Sequence, residues 1–299
     1  GERNYDAVMR VLLDGLAWGA RRRSGGPPPS ASAISRARVR LGAEPLRTLF
    51  CEVRGPLAGP GTPGAWYAGR RLVTLDRAAL DLPETADNAP FGYPAATARY
   101  PRVLVFALAE GGTEALLDGT FGGVAVGERT LAARMLRALR PGMLVVARAD
   151  PWAADLWRQA AATGADLLWG CAAPPDLWIE RSFGDGSYLA RPVGMAGLAL
   201  RVVPGPAGPG RAPAALLTTL TDPVAAPAGA LAARYARRWA MDAALAWLRD
   251  TEPGRAPLLR SRTAELVAQE VWALLCVHQA LRTLTCPARD SRPPRNSTP

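Results

Sequence analysis

The sequence of 299 residues contains no lysine, only one histidine, and four cysteines without any paired spacing. Zinc sites are usually built from closely spaced cysteine and histidine residues, so this composition argues against such a site. The histidine, His278, lies two residues from Cys276 in a segment with helical periodicity. Residues two apart face different directions on a helix, so we do not expect a catalytic thiol–imidazole pair and interpret His278 as a core residue.

Long apolar runs are also lacking. No run reaches the roughly 18 residues that a membrane-spanning helix needs, and we find no secretory signal peptide. We therefore expect a cytoplasmic bacterial protein without membrane contact. The chain begins with Gly1 and not with Met, so we also expect that it can be part of a longer product.

Positive charge is what the sequence has in excess, with 36 basic residues against 26 acidic ones and a net charge of +10. A chain this basic is expected to bind a polyanion, most often nucleic acid. All the basic residues are arginine, and the chain has 28 prolines and 30 glycines, as is typical of a GC-rich coding sequence. The choice of arginine over lysine therefore says little about any particular site.

The apolar pattern between residues 71 and 169 predicts three strands, a helix, a strand, a helix and a strand. The predicted strands are Arg71–Asp76, Arg102–Leu108, Glu114–Leu117, Gly142–Arg148 and Leu167–Trp169, with helices at 128–139 and 156–163. Helices are also predicted at 4–22, 30–50, 230–250 and 263–284. The Pro- and Gly-rich region in between has strand candidates at 187–190, 199–203 and 215–220.

Four polar residues of the predicted helix at 230–250 share one of its faces. Tyr235, Arg238, Asp242 and Arg249 are spaced so that their side chains fall within a stripe about 60° wide. A hydroxyl, two guanidiniums and a carboxylate can hold a phosphate backbone beside a metal ion. The alternative interpretation is an ordinary surface ion pair between Arg238 and Asp242, four residues apart.

This spacing resembles the signature of one group of bacterial insertion-sequence transposases, the IS four group, in which the acid is Glu and the last base Lys. Segments 66–76, 259–263 and 265–272 are also similar to the family pattern, and so is His278. The stretch 32–42 resembles the DNA-binding region of the family, which implies DNA contacts by Arg36, Arg38 and Arg40. A solvated basic face is the alternative for these three arginines.

The resemblance implies a ribonuclease-H-like α/β core formed by residues 65–170 and 230–285. It also implies a β-rich insertion at 171–229 and a helical DNA-binding segment at 1–55, while residues 286–299 are expected to be disordered. The implied reaction is Mg²⁺- or Mn²⁺-dependent DNA cleavage and strand transfer. Its partners would be double-stranded DNA, as terminal repeats and target, and by analogy a second copy of the chain, in association with the nucleoid.

Such a reaction uses three acids that converge from different elements. The resemblance assigns Asp76, at the predicted end of the first strand, and Asp242 as catalytic metal ligands. Arg148 stands where the family has its second acid, and Asp150 is a candidate substitute. DNA contacts are assigned to Tyr235, Arg238 and Arg249. We therefore expect a weakened or inactive transposase; the alternatives are a non-catalytic DNA-binding remnant and a decayed product that folds poorly.

Overall fold

The structure is a computed structural model that describes residues 30–148, 153–194, 197–205, 214–237, 245 and 258–286. Within these ranges the helices are α1 (Ala31–Leu41), α2 (Glu44–Val53), α3 (Glu128–Met135), α4 (Ala154–Ala162), α5 (Ala228–Ala236) and α6 (Ala264–Thr285). The strands are β1 (Trp66–Tyr67), β2 (Arg70–Asp81), β3 (Arg102–Glu110), β4 (Leu116–Gly123), β5 (Met143–Arg148), β6 (Asp166–Cys171), β7 (Leu177–Ser182), β8 (Tyr188–Pro192), β9 (Leu200–Pro204) and β10 (Ala215–Thr218).

All ten strands belong to one mixed sheet. Its order is β4-β3-β2-β5-β6-β10-β9-β8-β7, and the short β1 pairs with β2. The first three strands of this order are antiparallel, β5 is parallel to β2, and β6 is parallel to β5. The predicted α/β class is therefore confirmed. None of the described helices is long and apolar enough to cross a membrane.

Helices cover both faces of the sheet. On the first face, α3 and α4 contribute Leu131, Met135 and Trp157 to a core shared with β2, β3, β5 and β6. On the second face, α2 and α6 pack Phe50 and Leu275 against β2, β3 and β4, and α5 packs beside them against β5 and β6. Burial on both faces explains why the central strands are nearly continuous apolar runs.

Three predicted elements need correction. The helix predicted at 30–50 is two helices, because Gly42 has a positive φ of 68° and ends α1. The first strand does not end at Asp76 but continues to Asp81, since residues 77–81 pair with β3. The third strand is β4, longer and later than the predicted Glu114–Leu117, because its three glycines weaken the strand pattern in the sequence.

The Pro- and Gly-rich region joins the same sheet. Its predicted strands correspond to β8, β9 and β10, whereas the exposed edge strand β7 was missed. The last predicted helix is α6, and Thr263 caps its start, because the Thr263 hydroxyl accepts a hydrogen bond from the backbone N–H of Leu266. The helices predicted at 4–22 and beyond Arg237, and the tail predicted as disordered, lie outside the described residues apart from Leu245 and Cys286. The predicted domain boundaries stay predictions.

Candidate active site on the sheet face around Asp76

Asp76 is a nearly buried carboxylate in the middle of β2, with a relative exposure of 5%. Alternation along the strand turns its side chain towards the face covered by α5 and α6. Oδ1 accepts the backbone N–H of Arg77 at 2.8 Å, and Oδ2 accepts the backbone N–H of Leu245 at 3.1 Å. A segment 169 residues further along the chain therefore reaches this carboxylate.

Arg148 lies beside Asp76 on the neighbouring strand. The parallel register of β2 and β5 ends with the pair Thr74 and Val146; extended by two residues along each strand, it places Arg148 level with Asp76. Because the side-chain period of a strand is two, both side chains point to the same face of the sheet. The β2–β5 ladder stops at Thr74 and Val146, so this pair stands where the two strands separate.

Tyr235 reaches the same face from α5. It is 5% exposed and packs in a core with Leu72, Leu144 and Leu231. Its phenol ring lies against Gly170 of β6, and Gly170 is the partner of Arg148 in the β5–β6 ladder. Three separate elements therefore bring a carboxylate, a guanidinium and a phenol to one region of the sheet.

A two-ion centre needs several oxygen ligands around each cation. Of the described residues, no group of three or more His, Cys, Asp and Glu side chains is placed to hold a metal ion. Around Asp76 these residues supply one carboxylate, already bonded to two backbone N–H groups, and a cation on the adjacent strand. The described donor set does not fit a divalent metal ion.

The other assigned residues of this site lie outside the described residues. These are Asp150, Arg238, Asp242 and Arg249. Their roles stay predictions.

The three arginines of α1 differ in their surroundings. Arg36 and Arg40 are one helical turn apart and exposed to solvent. Arg38 faces α6 instead, where its Nε donates to Oε1 of Gln269 at 2.9 Å and its backbone carbonyl accepts from Nε2 of Gln269 at 2.9 Å. Its Nη2 also donates to the Ser261 hydroxyl at 3.4 Å. Arg38 therefore ties α1 to α6, while Arg36 and Arg40 face the solvent.

The start of α5 is held by residues that the sequence interpretation overlooked. No side chain of the residue preceding α5 caps the helix; instead Oδ2 of Asp185 accepts the backbone N–H of Ala228 at 2.9 Å. The same oxygen accepts from Nη2 of Arg201 at 2.6 Å. Arg201 is fully buried and also donates to the Ser187 hydroxyl at 2.8 Å and the Ala226 carbonyl at 2.6 Å. The sequence feature that could have indicated this network is the arginine within the otherwise apolar strand β9.

These contacts keep Asp185 ionised. The hydrogen bond from the Ser187 hydroxyl is the largest cause that lowers the pKa of Asp185 from 3.8 to about 2, and the Ala228 N–H and the Arg201 charge add to it. A carboxylate that accepts several hydrogen bonds and faces a guanidinium prefers its charged form. The hairpin between β7 and β8 thus provides a charged cap for the helix that carries Tyr235.

Comparisons with known proteins agree with the motifs. Residues 1–51 match a family described as the insertion element 4 transposase N-terminal region. Over 273 residues the chain is 25% identical to the transposase InsG for insertion sequence element IS4 of Escherichia coli strain K12; the match covers 86% of this chain and 61% of that protein. The chain therefore spans less than two thirds of the length of this relative.

Among solved structures, endonuclease V of Streptomyces avermitilis matches with a TM-score of 0.27 and 15% identity, over 81% of this chain and 94% of that protein. A similarity this low carries no conclusion. The two sequence matches cover the N-terminal segment and most of the remaining chain, in agreement with the signature residues. The chain is thus similar to the transposase of insertion element IS4, both in its N-terminal segment and over most of its length.

Proposed function

We propose that this chain is a DNA-binding transposase whose DNA cleavage and strand transfer are weak or lost. The observation that carries the proposal is the position of Arg148, level with Asp76 on the neighbouring strand and on the same face of the sheet. The family places an acid at this point of the strand. Here a positive charge replaces a negative one beside the nearly buried Asp76 carboxylate.

The arrangement of the sheet supports a ribonuclease-H-like core. Its expected chain order is three strands, a helix, a strand, a helix and a strand, and the order β2, β3, β4, α3, β5, α4, β6 corresponds to it. Asp76 and Arg148 belong to the first and fourth of these strands. In the family pattern, each of these two strands is expected to carry an acid at the place where the strands diverge.

Electrostatics explains why arginine at this place would oppose catalysis. In this family a pair of divalent ions, assigned here to Asp76 and Asp242, would activate the attacking and leaving oxygens when bound. Two unit charges 4 Å apart interact by about 4 kcal/mol at an effective dielectric of 20, and a divalent ion would feel about twice that from one guanidinium. The guanidinium of Arg148 would repel a divalent ion with an energy of this size, whereas an aspartate at the same position would attract the ion.

Asp242 is close in sequence to Leu245, which contacts Asp76. It precedes Leu245 by three residues, and three residues of chain span at most about 11 Å between Cα atoms. The N–H of Leu245 is bonded to Asp76, so a carboxylate from this segment can approach the Asp76 region. Aspartate is one methylene shorter than the glutamate of the family, and a displacement of about 1 Å in such a site can cost about 100-fold in rate.

DNA binding does not depend on the metal ligands. The net charge of +10 and the exposed side chains of Arg36 and Arg40 support binding to a phosphate backbone. The proposed partners are the terminal repeats of an insertion sequence and its target duplex, bound by a homodimer. The non-catalytic DNA-binding remnant is the limiting case in which the positive surface is kept and turnover is absent.

The test is a cleavage assay on duplexes that carry the terminal repeats flanking the gene, with Mg²⁺ or Mn²⁺. We expect salt-dependent duplex binding with little or no cleavage, and a gain of cleavage in Arg148→Asp that Asp76→Asn removes. Robust cleavage by the unmodified chain would refute the loss of activity. Absence of duplex binding at low salt by a chain that melts cooperatively would refute the DNA-binding proposal separately.

A further inference from the structure

The short segment 258–262, which leads into α6, alternates between exposed and buried side chains. Leu259 and Ser261 are 7% and 4% exposed. The other three residues, Leu258, Arg260 and Arg262, are exposed to solvent. A period of two is typical of an extended chain, in which alternate side chains point to the same side. The segment therefore presents two arginines side by side, with their Cα atoms about 7 Å apart at the rise of an extended chain.

Hydrogen bonds to the β2 region hold the backbone on either side of Ser261. The N–H of Leu259 donates to the carbonyl of Asp81 at 2.9 Å, so the segment starts beside the last residue of β2. At the other end, the Thr85 hydroxyl donates to the Arg262 carbonyl at 2.9 Å. Both ends of the segment are therefore attached to β2 or to the loop that follows it.

Between these two points, Glu270 of α6 binds the middle of the segment. Its Oε2 accepts from the N–H and the hydroxyl of Ser261 at 3.1 and 2.6 Å, and its Oε1 accepts from the N–H of Arg260 at 3.4 Å. Nδ2 of Asn88 donates to the Ser261 carbonyl at 3.1 Å. The Ser261 hydroxyl is also the group that Arg38 of α1 contacts. Bonds from the sheet, the following loop and two helices thus fix the backbone that carries both arginines.

The chemistry of the two exposed side chains favours a phosphate backbone as their partner. A guanidinium can donate two parallel hydrogen bonds to one phosphate group, and Arg262 has no ion pair in the described part of the chain. A backbone that is ordered before binding also reduces the entropy lost on association. The loop after β2 exposes two acids, Glu84 and Asp87, which would repel phosphates. The contact is therefore expected at the arginines and not at this loop.

We propose that Arg260 and Arg262 bind neighbouring phosphates of one strand of a DNA duplex, as a second contact besides that of α1. The inference rests on the proposed DNA-binding function and names a contact outside the Asp76 site. Asp81, beside which the segment starts, follows Asp76 along β2 by five residues, or about 17 Å at the rise of a strand. At about 3.4 Å per base pair, a duplex that reached both places would be held about five base pairs or more from Asp76.

The experiment measures binding of the full chain to the terminal-repeat duplex and to a random-sequence duplex over a range of salt concentrations. We expect Arg260→Gln and Arg262→Gln each to reduce the slope of log K against log salt by about 1, and the double variant by about 2, on both duplexes. Arg262→Lys should keep the slope, because an ammonium group also binds phosphate. The control is Arg158→Gln, which removes an exposed charge from α4 on the other face of the sheet and should leave the slope unchanged.

Phosphate ethylation interference provides a second measurement. Ethylation of two neighbouring phosphates should impair binding of the unmodified chain, and this effect should be absent in the double variant, whose folding is checked by its melting curve. Duplex binding with an unchanged slope in the double variant would overturn this inference alone, as would an equal loss of slope in Arg158→Gln. Failure of the unmodified chain to bind either duplex would overturn the proposed DNA-binding function as well.

Discussion

The phenol ring of Tyr235 on α5 occupies the space that a side chain on Gly170 of β6 would fill. A Cβ built on Gly170 would lie 2.8 Å from Cε2 of Tyr235 and nearer still to its hydroxyl oxygen. Gly170 has no unusual φ, so the requirement for glycine here is a matter of space and not of backbone conformation. The contact sets the depth at which α5 packs on the sheet, next to the strand position of Arg148.

Replacement of this glycine tests the contact. We expect Gly170→Ala to destabilise the protein by about 1–3 kcal/mol, since the tyrosine or the helix must move to admit the methyl group. The matched control is Gly184→Ala, because a Cβ at Gly184 meets no atom within 4 Å. Urea unfolding measures both variants. Equal free energies of unfolding for Gly170→Ala and Gly184→Ala would show that the Tyr235 ring does not pack against Gly170.

The buried Arg201 should be among the most sensitive positions of the β-rich region. In Arg201→Met the Asp185 carboxylate and the Ala226 carbonyl each lose the guanidinium donor, and breaking a buried ion pair costs about 3–5 kcal/mol. Arg191→Met is the control, since Arg191 is 52% exposed and its pair with Glu180 is on the surface. We expect the control to change the free energy of unfolding by less than about 1 kcal/mol. Similar losses in both would contradict the assigned role of Arg201.

His278 should give the protein a pH-dependent stability near neutrality. Burial, as the largest cause, lowers the pKa of His278 below 6.5, while its Nε2–H donates to the Glu114 carbonyl at 2.8 Å. The unfolded chain therefore binds this proton at a higher pH than the folded chain does. Stability is complete above about pH 6.5 and is lost as the pH falls below that value towards the lower folded pKa.

The measurement for His278 is urea unfolding at pH 7.5 and pH 5.5. Because the sequence has one histidine, His278→Gln removes the only side chain that ordinarily titrates in this window. We expect the unmodified chain to lose more stability between the two pH values than the variant loses. Identical losses would mean that the folded pKa of His278 is not lowered.

The arginines of α1 should separate into two classes. Arg36→Gln and Arg40→Gln are expected to weaken duplex binding and each to reduce the slope of log K against log salt by about 1, as for the loss of one phosphate contact. Arg38→Gln should mainly lower the melting temperature, because it breaks the bonds to Gln269 and Ser261. The reverse assignment, with Arg38 controlling the salt slope, would contradict this division.

The sequence predicted much of the fold because its central strands are nearly continuous apolar runs and its helices have regular apolar spacing. It missed β7, whose residues are almost all exposed and follow no burial pattern, and it placed the end of β2 too early. The predicted strand ended at Asp76, which in the structure stands where β2 separates from β5. Pairing with β3 keeps β2 extended beyond this point to Asp81. Such pairing depends on distant residues.

By itself the sequence determined the α/β class, the excess of positive charge and the similarity to IS4 transposases, because these follow from composition, periodicity and spaced motifs. Only the tertiary structure decided that Arg148 stands level with Asp76, that Arg38 is used within the protein, and that Asp185 caps a helix 43 residues away. These relationships arise from strand register and from side chains meeting across elements. Neither can be read from spacing along one chain, since both depend on how remote segments pack together.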